Sequence, residues 1–279
     1  MGESWSTPTV IRVKGISKPL VVFGAGYDKC EDEESLTACD GISRGKGIVV
    51  MDAERGPGSP DAATLNRFFS PSDGLDSSAG RFVADIATLD VNRDGFVDVL
   101  YAVDTRGNVW RINAADPTTN ESYKASGTGS VSAWKINKIA TVGQWSSDLT
   151  PTEHRKFMYA PSVVTLGTQA VVLVGTGDRE KPTDGSQAAL VKNRFYGLRD
   201  DITAVTGITP TIGYGATPVD LTNVTALSTL DPATVNKGWY RELSTTTTPY
   251  EQVITTPLTL GGITYFNTYQ AKNTNENQC

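Results

Sequence analysis

An all-β architecture of repeated, short antiparallel blades is what this 279-residue sequence predicts, and three observations lead there. β-Branched and aromatic runs bounded by Gly, Asp, Asn and Pro recur along the chain, helical periodicity is scarce, and a small-residue–Pro lead-in to an apolar strand is repeated. Residues 10–13, 20–24, 48–51, 83–89, 97–103 and 108–112 read as strands, as do 162–166, 170–175, 194–198, 251–254, 257–260 and 263–269. Polar stretches at 57–80, 113–129 and 201–234 separate them, and any helix is expected to be short and to lie inside one of these.

The lead-in appears as Ser6-Thr7-Pro8, Tyr159-Ala160-Pro161 and Thr255-Thr256-Pro257. Each is followed by an apolar strand and a Gly or Tyr turn, at 21–26, 172–177 and 264–267, and the segment 83–113 fills the gap with the same rhythm. Units end on strands such as Ile48-Val49-Val50-Met51 and Val109-Trp110-Arg111-Ile112. Short strands that cannot bury a face alone gain a core only by stacking on neighbours, which is the logic of a β-propeller. About four such units fit, at the low end of closed propellers. The expectation is a modified β-propeller, partial or short, occupying 1–279 as one domain and belonging to a larger secreted protein.

A hydrophobic content of 38% and a mean hydropathy of -0.25 suit a globular core. No apolar run approaches the roughly 18 residues of a membrane-spanning helix. Met1 to Trp5 has neither a basic nor an apolar signal-peptide region. Net charge is -6, from 25 Lys+Arg against 31 Asp+Glu, with no basic run interleaved with aromatics. Such a surface repels phosphate backbones, which argues against nucleic acid as a partner.

Of the three cysteines, Cys30 and Cys39 bracket the acidic run Glu31-Asp32-Glu33-Glu34. Two thiols so placed are expected to form a local disulfide, which implies an oxidising compartment. Closing that loop contributes about 2.5–3 kcal/mol in the chain-entropy account. Cys279, the last residue, is expected to pair outside the chain. The acidic run itself reads as a solvated loop.

The most specific motif is Asp90-Val91-Asn92-Arg93-Asp94-Gly95-Phe96-Val97-Asp98. Oxygen-bearing side chains fall at loop positions 1, 3, 5 and 9, with Gly95 at the sharp turn and the Phe96 carbonyl available at position 7. Calcium loops wrap a hard cation with this spacing. Asp90, Asn92, Asp94, Phe96 and Asp98 are therefore the candidate Ca2+ ligands. Tyr101 stands where an EF-hand has its bidentate Glu, and the flanks are strands, so the loop belongs to a β-turn inside a blade. An Asp-Asn-Gly hairpin without metal is the alternative, since these residues also favour turns. Three carboxylates within nine residues repel one another unless a cation lies between them.

Other polar motifs are weaker. Gly175-Thr176-Gly177-Asp178 lacks the Gly-Lys-Ser/Thr ending of a phosphate loop and reads as a blade turn. Asp200-Asp201 reads as a strand end and turn. His154 is the only histidine, so Ser-His-Asp or Cys-His catalysis would depend on that one residue, and zinc sites lack partners. No enzyme is expected.

These blocks, taken in order, resemble the C-terminal propeller domain of the type IV pilus tip-associated adhesins, the PilC/PilY family. The resemblance is carried by Trp5-Ser6-Thr7-Pro8, Val22-Phe23-Gly24-Ala25-Gly26-Tyr27, and 90–98 running into Tyr101-Ala102-Val103-Asp104-Thr105-Arg106-Gly107-Asn108-Val109-Trp110-Arg111. It continues through Arg155-Lys156-Phe157-Met158-Tyr159-Ala160-Pro161, Gly175-Thr176-Gly177-Asp178-Arg179-Glu180, residues 193–201 and Gly238-Trp239-Tyr240. The resemblance implies a secreted protein at the pilus tip or outer membrane that supports pilus assembly, opposes retraction in a calcium-dependent way and contributes to attachment. Pilin or minor pilin subunits are the implied partners, with host or abiotic surfaces beyond them. Two departures from the family pattern bear on adhesion: the N-terminal half typical of those adhesins is absent, and the chain stops at Cys279, before their last blades would be expected.

Two alternatives differ in class. Integrin-like calcium-repeat propellers carry similar loops but repeat them blade after blade, whereas this chain has one. Quinoprotein dehydrogenases are suggested only by the run from Ile48 to Glu54, without their adjacent cysteines or dense tryptophan repeats.

Overall fold

In a computed structural model, residues 1–3, 5–32, 44–70, 75–117, 119–125, 128–143, 153–178, 180, 187–204, 221–229, 231, 235 and 237–271 are described. Strands β1 (Thr9–Ile11), β2 (Leu20–Gly24), β3 (Ile48–Asp52) and β4 (Arg67–Phe69) form the first sheet, an antiparallel meander in chain order. The second sheet repeats this with β5 (Ala87–Leu89), β6 (Val99–Val103), β7 (Asn108–Asn113) and β10 (Lys135–Thr141). A small hairpin of β8 (Lys124–Ala125) and β9 (Thr128–Gly129) interrupts it. In the third sheet, β11 (Ser162–Leu166), β12 (Gln169–Gly175), β13 (Arg194–Asp201) and β15 (Gly238–Glu242) form the meander, and β14 (Thr222–Asn223) adds a parallel edge. Beyond it, β16 (Gln252–Val253) pairs with β19 (Thr268–Tyr269), and β17 (Leu258–Leu260) pairs with β18 (Ile263–Tyr265) across Gly261-Gly262. The all-β, blade-repeat expectation holds.

Packing explains why the middle blade reads as unbroken apolar strands. Every residue of β6 is buried, because a sheet lies on each side of it. Leu100 and Ala102 face the first blade, where they join Val22, Val50, Phe69, Phe82, Trp110 and Ile112. Val99, Tyr101 and Val103 face the third, among Val109, Phe157, Val172, Val174 and Tyr196. The period-2 alternation of a strand thus splits one run between two cores. A third core, of Val171, Leu173, Phe195 and Val253, joins the third blade to the last hairpins. There Phe195 stacks on Phe266 with ring centroids 3.9 Å apart, and a Cβ on Gly197 would come within 2.4 Å of the Trp239 ring.

Several boundaries differ from the sequence reading. Of 83–89, only Ala87–Leu89 is strand, and 263–269 is broken into β18 and β19. Strands β4, β10 and β15 fall in segments not assigned as strands, since Arg67, Lys135, Lys138, Arg241 and Glu242 reduce the apolar signal. The one α-helix among the described residues, Ala62–Leu65, lies inside the polar stretch 57–80 where a short helix was expected.

Candidate functional site

The loop 90–98 closes the hairpin between β5 and β6, whose last pair is Leu89 with Val99. Its own side chains hold its shape. Asp90 Oδ2 accepts the Gly95 N–H at 2.8 Å and its Oδ1 the Asp94 N–H at 3.2 Å. Asn92 Oδ1 accepts the Asp94 N–H at 2.9 Å, Asp94 Oδ1 the Phe96 N–H at 3.1 Å, and Asp98 Oδ2 the Val91 N–H at 2.8 Å. Such side-chain-to-backbone bonds are why Asp and Asn dominate tight loops. Gly95 has φ 89°, and a Cβ there would meet nothing, so conformation rather than space demands glycine. Arg93 also takes the left-handed region, at φ 62°.

Neighbouring blades brace the loop. Val97 N–H donates to the Arg12 carbonyl at 2.8 Å, and the Arg12 guanidinium lies 5.3 Å from the centroid of the Phe96 ring. The Asp98 carbonyl accepts the N–H groups of Ala114 and Ala115 just after β7. Asp94 Oδ2 faces Lys14 Nζ at 3.4 Å and Asn120 Nδ2 at 3.3 Å.

Electrostatics single out Asp98. The residue is buried, and its Oδ1 has no hydrogen-bond partner. Burial pushes its carboxyl above the usual range, and the negative charges of Asp90 and Asp94 add to this against the Val91 N–H bond. Asp94 lies below the usual range: burial raises it, and hydrogen bonds from Phe96 and Asn92 together with the Lys14 ammonium more than offset that. Among the described residues no three carboxylate, imidazole or thiolate groups already converge as a cation cage. The donor set nonetheless fits a hard cation, being all oxygen, on one nine-residue hairpin, with one buried carboxylate oxygen unpartnered.

Other expected residues fare differently. Cys30 lies on a 3-10 turn, Lys29–Asp32, whereas Cys39 and Cys279 lie outside the described residues, so the disulfide does too. Glu31 corrects the solvated-loop reading: it is buried, and one of its carboxylate oxygens lies 2.6 Å from Arg81 Nη1. Asp200-Asp201 ends β13 ahead of a turn as expected, and Asp200 is in addition buried against Arg111 and the Tyr101 hydroxyl. Thr176 and Gly177 run on past β12 without a turn, their N–H groups donating to the Arg194 and Lys156 carbonyls, and Asp178 lies 2.8 Å from Lys156 Nζ, which corrects the blade-turn reading. His154 is half-buried, and its imidazole is held below its usual range by burial and by Lys156.

Sequence reasoning missed Asp104, which organises the second blade from within. Its buried carboxylate accepts the N–H groups of Gly80, Arg106 and Asn108, the Asn108 side-chain amide and the Trp110 indole, all at 2.9–3.2 Å. The signal was present in the spacing of Asp104, Gly107, Asn108 and Trp110: a turn followed by an inward-facing tryptophan whose N–H needs a buried acceptor.

A family model described as the PilY1 β-propeller domain matches residues 1–226. The chain belongs to the PilY1 β-propeller family. The type IV pilus biogenesis factor PilY1 of Pseudomonas aeruginosa strain UCBPP-PA14 is 24% identical over 269 residues, covering 88% of this chain and 21% of that protein. PilY1 of strain PAK is 26% identical over 223 residues, covering 77% of this chain and 17% of the relative. The chain thus spans about a fifth of the length of these PilY1 relatives. The crystal structure of the P. aeruginosa PilY1 C-terminal domain matches with a TM-score of 0.64 and 21% identity, over 95% of this chain and 55% of that one. The resemblance to the pilus-associated family and the propeller fold are both borne out. Among the described residues no helix is long and apolar enough to cross a membrane.

Proposed function

We propose that this PilY1-type propeller is a calcium-binding module of a type IV pilus biogenesis factor, acting outside the cell at the pilus tip or outer membrane. One observation carries the reading: a nine-residue all-oxygen loop between two strands leaves the Asp98 Oδ1 buried and unpartnered beside two other carboxylates. Asp90, Asn92, Asp94, the Phe96 carbonyl and Asp98 would hold the ion, and the ion would supply positive charge that relieves their repulsion. Because Val97 is bonded to Arg12, and Asp98 to Ala114 and Ala115, tightening the loop would brace the first blade against the second. In the whole protein this would let external calcium tune how the tip engages pilin or minor pilin subunits, and so extension, retraction and attachment to surfaces. The role is structural and regulatory rather than enzymatic, consistent with relatives named as biogenesis factors.

Isothermal titration with calcium tests this. The intact chain is expected to take up one ion, and Asp94→Ala to lose most of the binding heat. Absence of any binding heat in the intact chain would reduce the loop to a turn.

A further inference from the structure

Asp94 and Asp98 each commit one carboxylate oxygen to a backbone N–H of the loop. Asp98 gives Oδ2 to Val91, and Asp94 gives Oδ1 to Phe96 at 3.1 Å, so Oδ2 is the Asp94 oxygen left for an ion. That oxygen is already engaged. Lys14 Nζ lies 3.4 Å from it, and Asn120 Nδ2 donates to it at 3.3 Å.

The two donors are not equivalent. An amide can turn and present its carbonyl oxygen to a cation, whereas an ammonium has three donors and no acceptor. An ammonium and a divalent cation on one carboxylate oxygen also repel each other. For calcium to take Asp94 Oδ2 at full strength, Lys14 has to leave it.

Backbone bonds keep Lys14 beside the loop. The Arg12 carbonyl accepts the Val97 N–H at 2.8 Å, and the Lys14 carbonyl accepts the Ser122 N–H at 3.0 Å. A tethered partner acts at an effective concentration fixed by its tether rather than by the solution. Both side chains are partly exposed, 39% for Lys14 and 28% for Asp94, so solvent screens the pair. The contact is therefore weak enough for a divalent ion to displace and strong enough to weaken that ion's binding.

We propose that Lys14 is a tethered competitor for the calcium position: its ammonium holds Asp94 Oδ2 in the ion-free loop and is released when the ion binds. This role rests on the calcium reading above and deepens it, naming the residue that sets how much calcium the loop requires. Without the ion, Lys14 supplies positive charge that offsets the repulsion among Asp90, Asp94 and Asp98. Coupling is reciprocal, so whatever the contact costs the ion, the ion costs the contact.

Isothermal titration of the whole chain with calcium, in the parent and in Lys14→Met, Lys14→Arg and Arg93→Gln, is the first test. Lys14→Met keeps the stem and removes the ammonium, and should bind calcium about two- to fivefold tighter, the range that exposed ion pairs span. Lys14→Arg restores a cation on the same tether and should return binding toward the parent value. Arg93→Gln removes an exposed cation from the loop itself and should tighten binding by less. The contact is read separately by acetylating the amines and mapping the peptides by mass spectrometry. Lys14 labelling is expected to rise in calcium over chelator in the parent, and to be high in both conditions in Asp94→Ala.

No binding heat in the parent would overturn the calcium reading and this role together. One ion bound by the parent, with binding unchanged or weaker in Lys14→Met, would overturn the competitor role alone. Equal tightening in Arg93→Gln, or Lys14 labelling indifferent to calcium while the ion is bound, would do the same.

Discussion

Arg111 and Asp200 face each other across the boundary between the second and third blades, with Arg111 Nη1 donating to both carboxylate oxygens at 2.9 Å. Neither side chain is more than 4% exposed. The Tyr101 hydroxyl adds a 2.7 Å bond to Asp200, and the guanidinium also donates to the Asp201 and Ala204 carbonyls. Burial, and then the charge of Asp200, push the Tyr101 phenol well above its ordinary range, so it stays a neutral donor. This cluster is the polar counterpart of the apolar core between the same two sheets.

Removing one partner leaves a buried charge without compensation, which typically costs about 3–5 kcal/mol. Asp200→Ala is therefore expected to lower the unfolding free energy by about that amount. The double variant Arg111→Met/Asp200→Leu should recover most of it, since well-packed apolar replacements of buried pairs are often neutral. Denaturant unfolding of the three proteins decides the matter, and equal losses in the single and double variants would mean that apolar residues cannot replace the pair.

Acid sensitivity should have a component at Asp52. Its carboxylate is held down to about 2, from an ordinary 3.8, by the Ser59 hydroxyl against the opposing effect of burial, with help from the Glu54 N–H and Lys18. The unfolded chain binds this proton at higher pH than the folded chain does. The contribution is thus complete above about pH 4 and is lost as pH falls toward about 2. Urea unfolding over this window should give a shallower pH slope for Asp52→Asn than for the parent.

Calcium should raise the melting temperature. If the loop binds at about 10⁻⁵ to 10⁻⁴ M, between the ranges of sensor and extracellular sites, millimolar calcium adds about 1.4–2.7 kcal/mol by mass action. In chelator, Asp94→Ala should melt close to the parent, since the exposed Lys14–Asp94 contact is worth only about 0–1 kcal/mol. Identical melting curves in calcium and in chelator for the parent would count against the loop as a metal site.

Cys30 and Cys39 are expected to be joined in protein made in an oxidising compartment. Non-reducing peptide mapping should recover them as one linked pair, and reduction should cost about 2.5–3 kcal/mol of stability. Recovery of both as free, alkylated thiols would refute the pairing.

What could be read from the sequence was local. The loop 90–98 carries its oxygens within nine consecutive residues, so spacing alone identifies it, and Gly95 is dictated by a positive φ rather than by any neighbour. Strands such as β2, β3, β6 and β12 announce themselves because burial on both faces leaves almost no polar interruption. The partners of Glu31 and Asp200 did not announce themselves, being 50 and 89 residues away at Arg81 and Arg111. Strand β4 was hidden in a polar stretch, because its place is settled by pairing with β3 rather than by its own three residues. Local spacing follows from the geometry of consecutive residues, which any stretch of chain expresses by itself. Ion pairs, cavities and strand register depend on which surfaces are brought together when blades stack, and only the tertiary structure decides that.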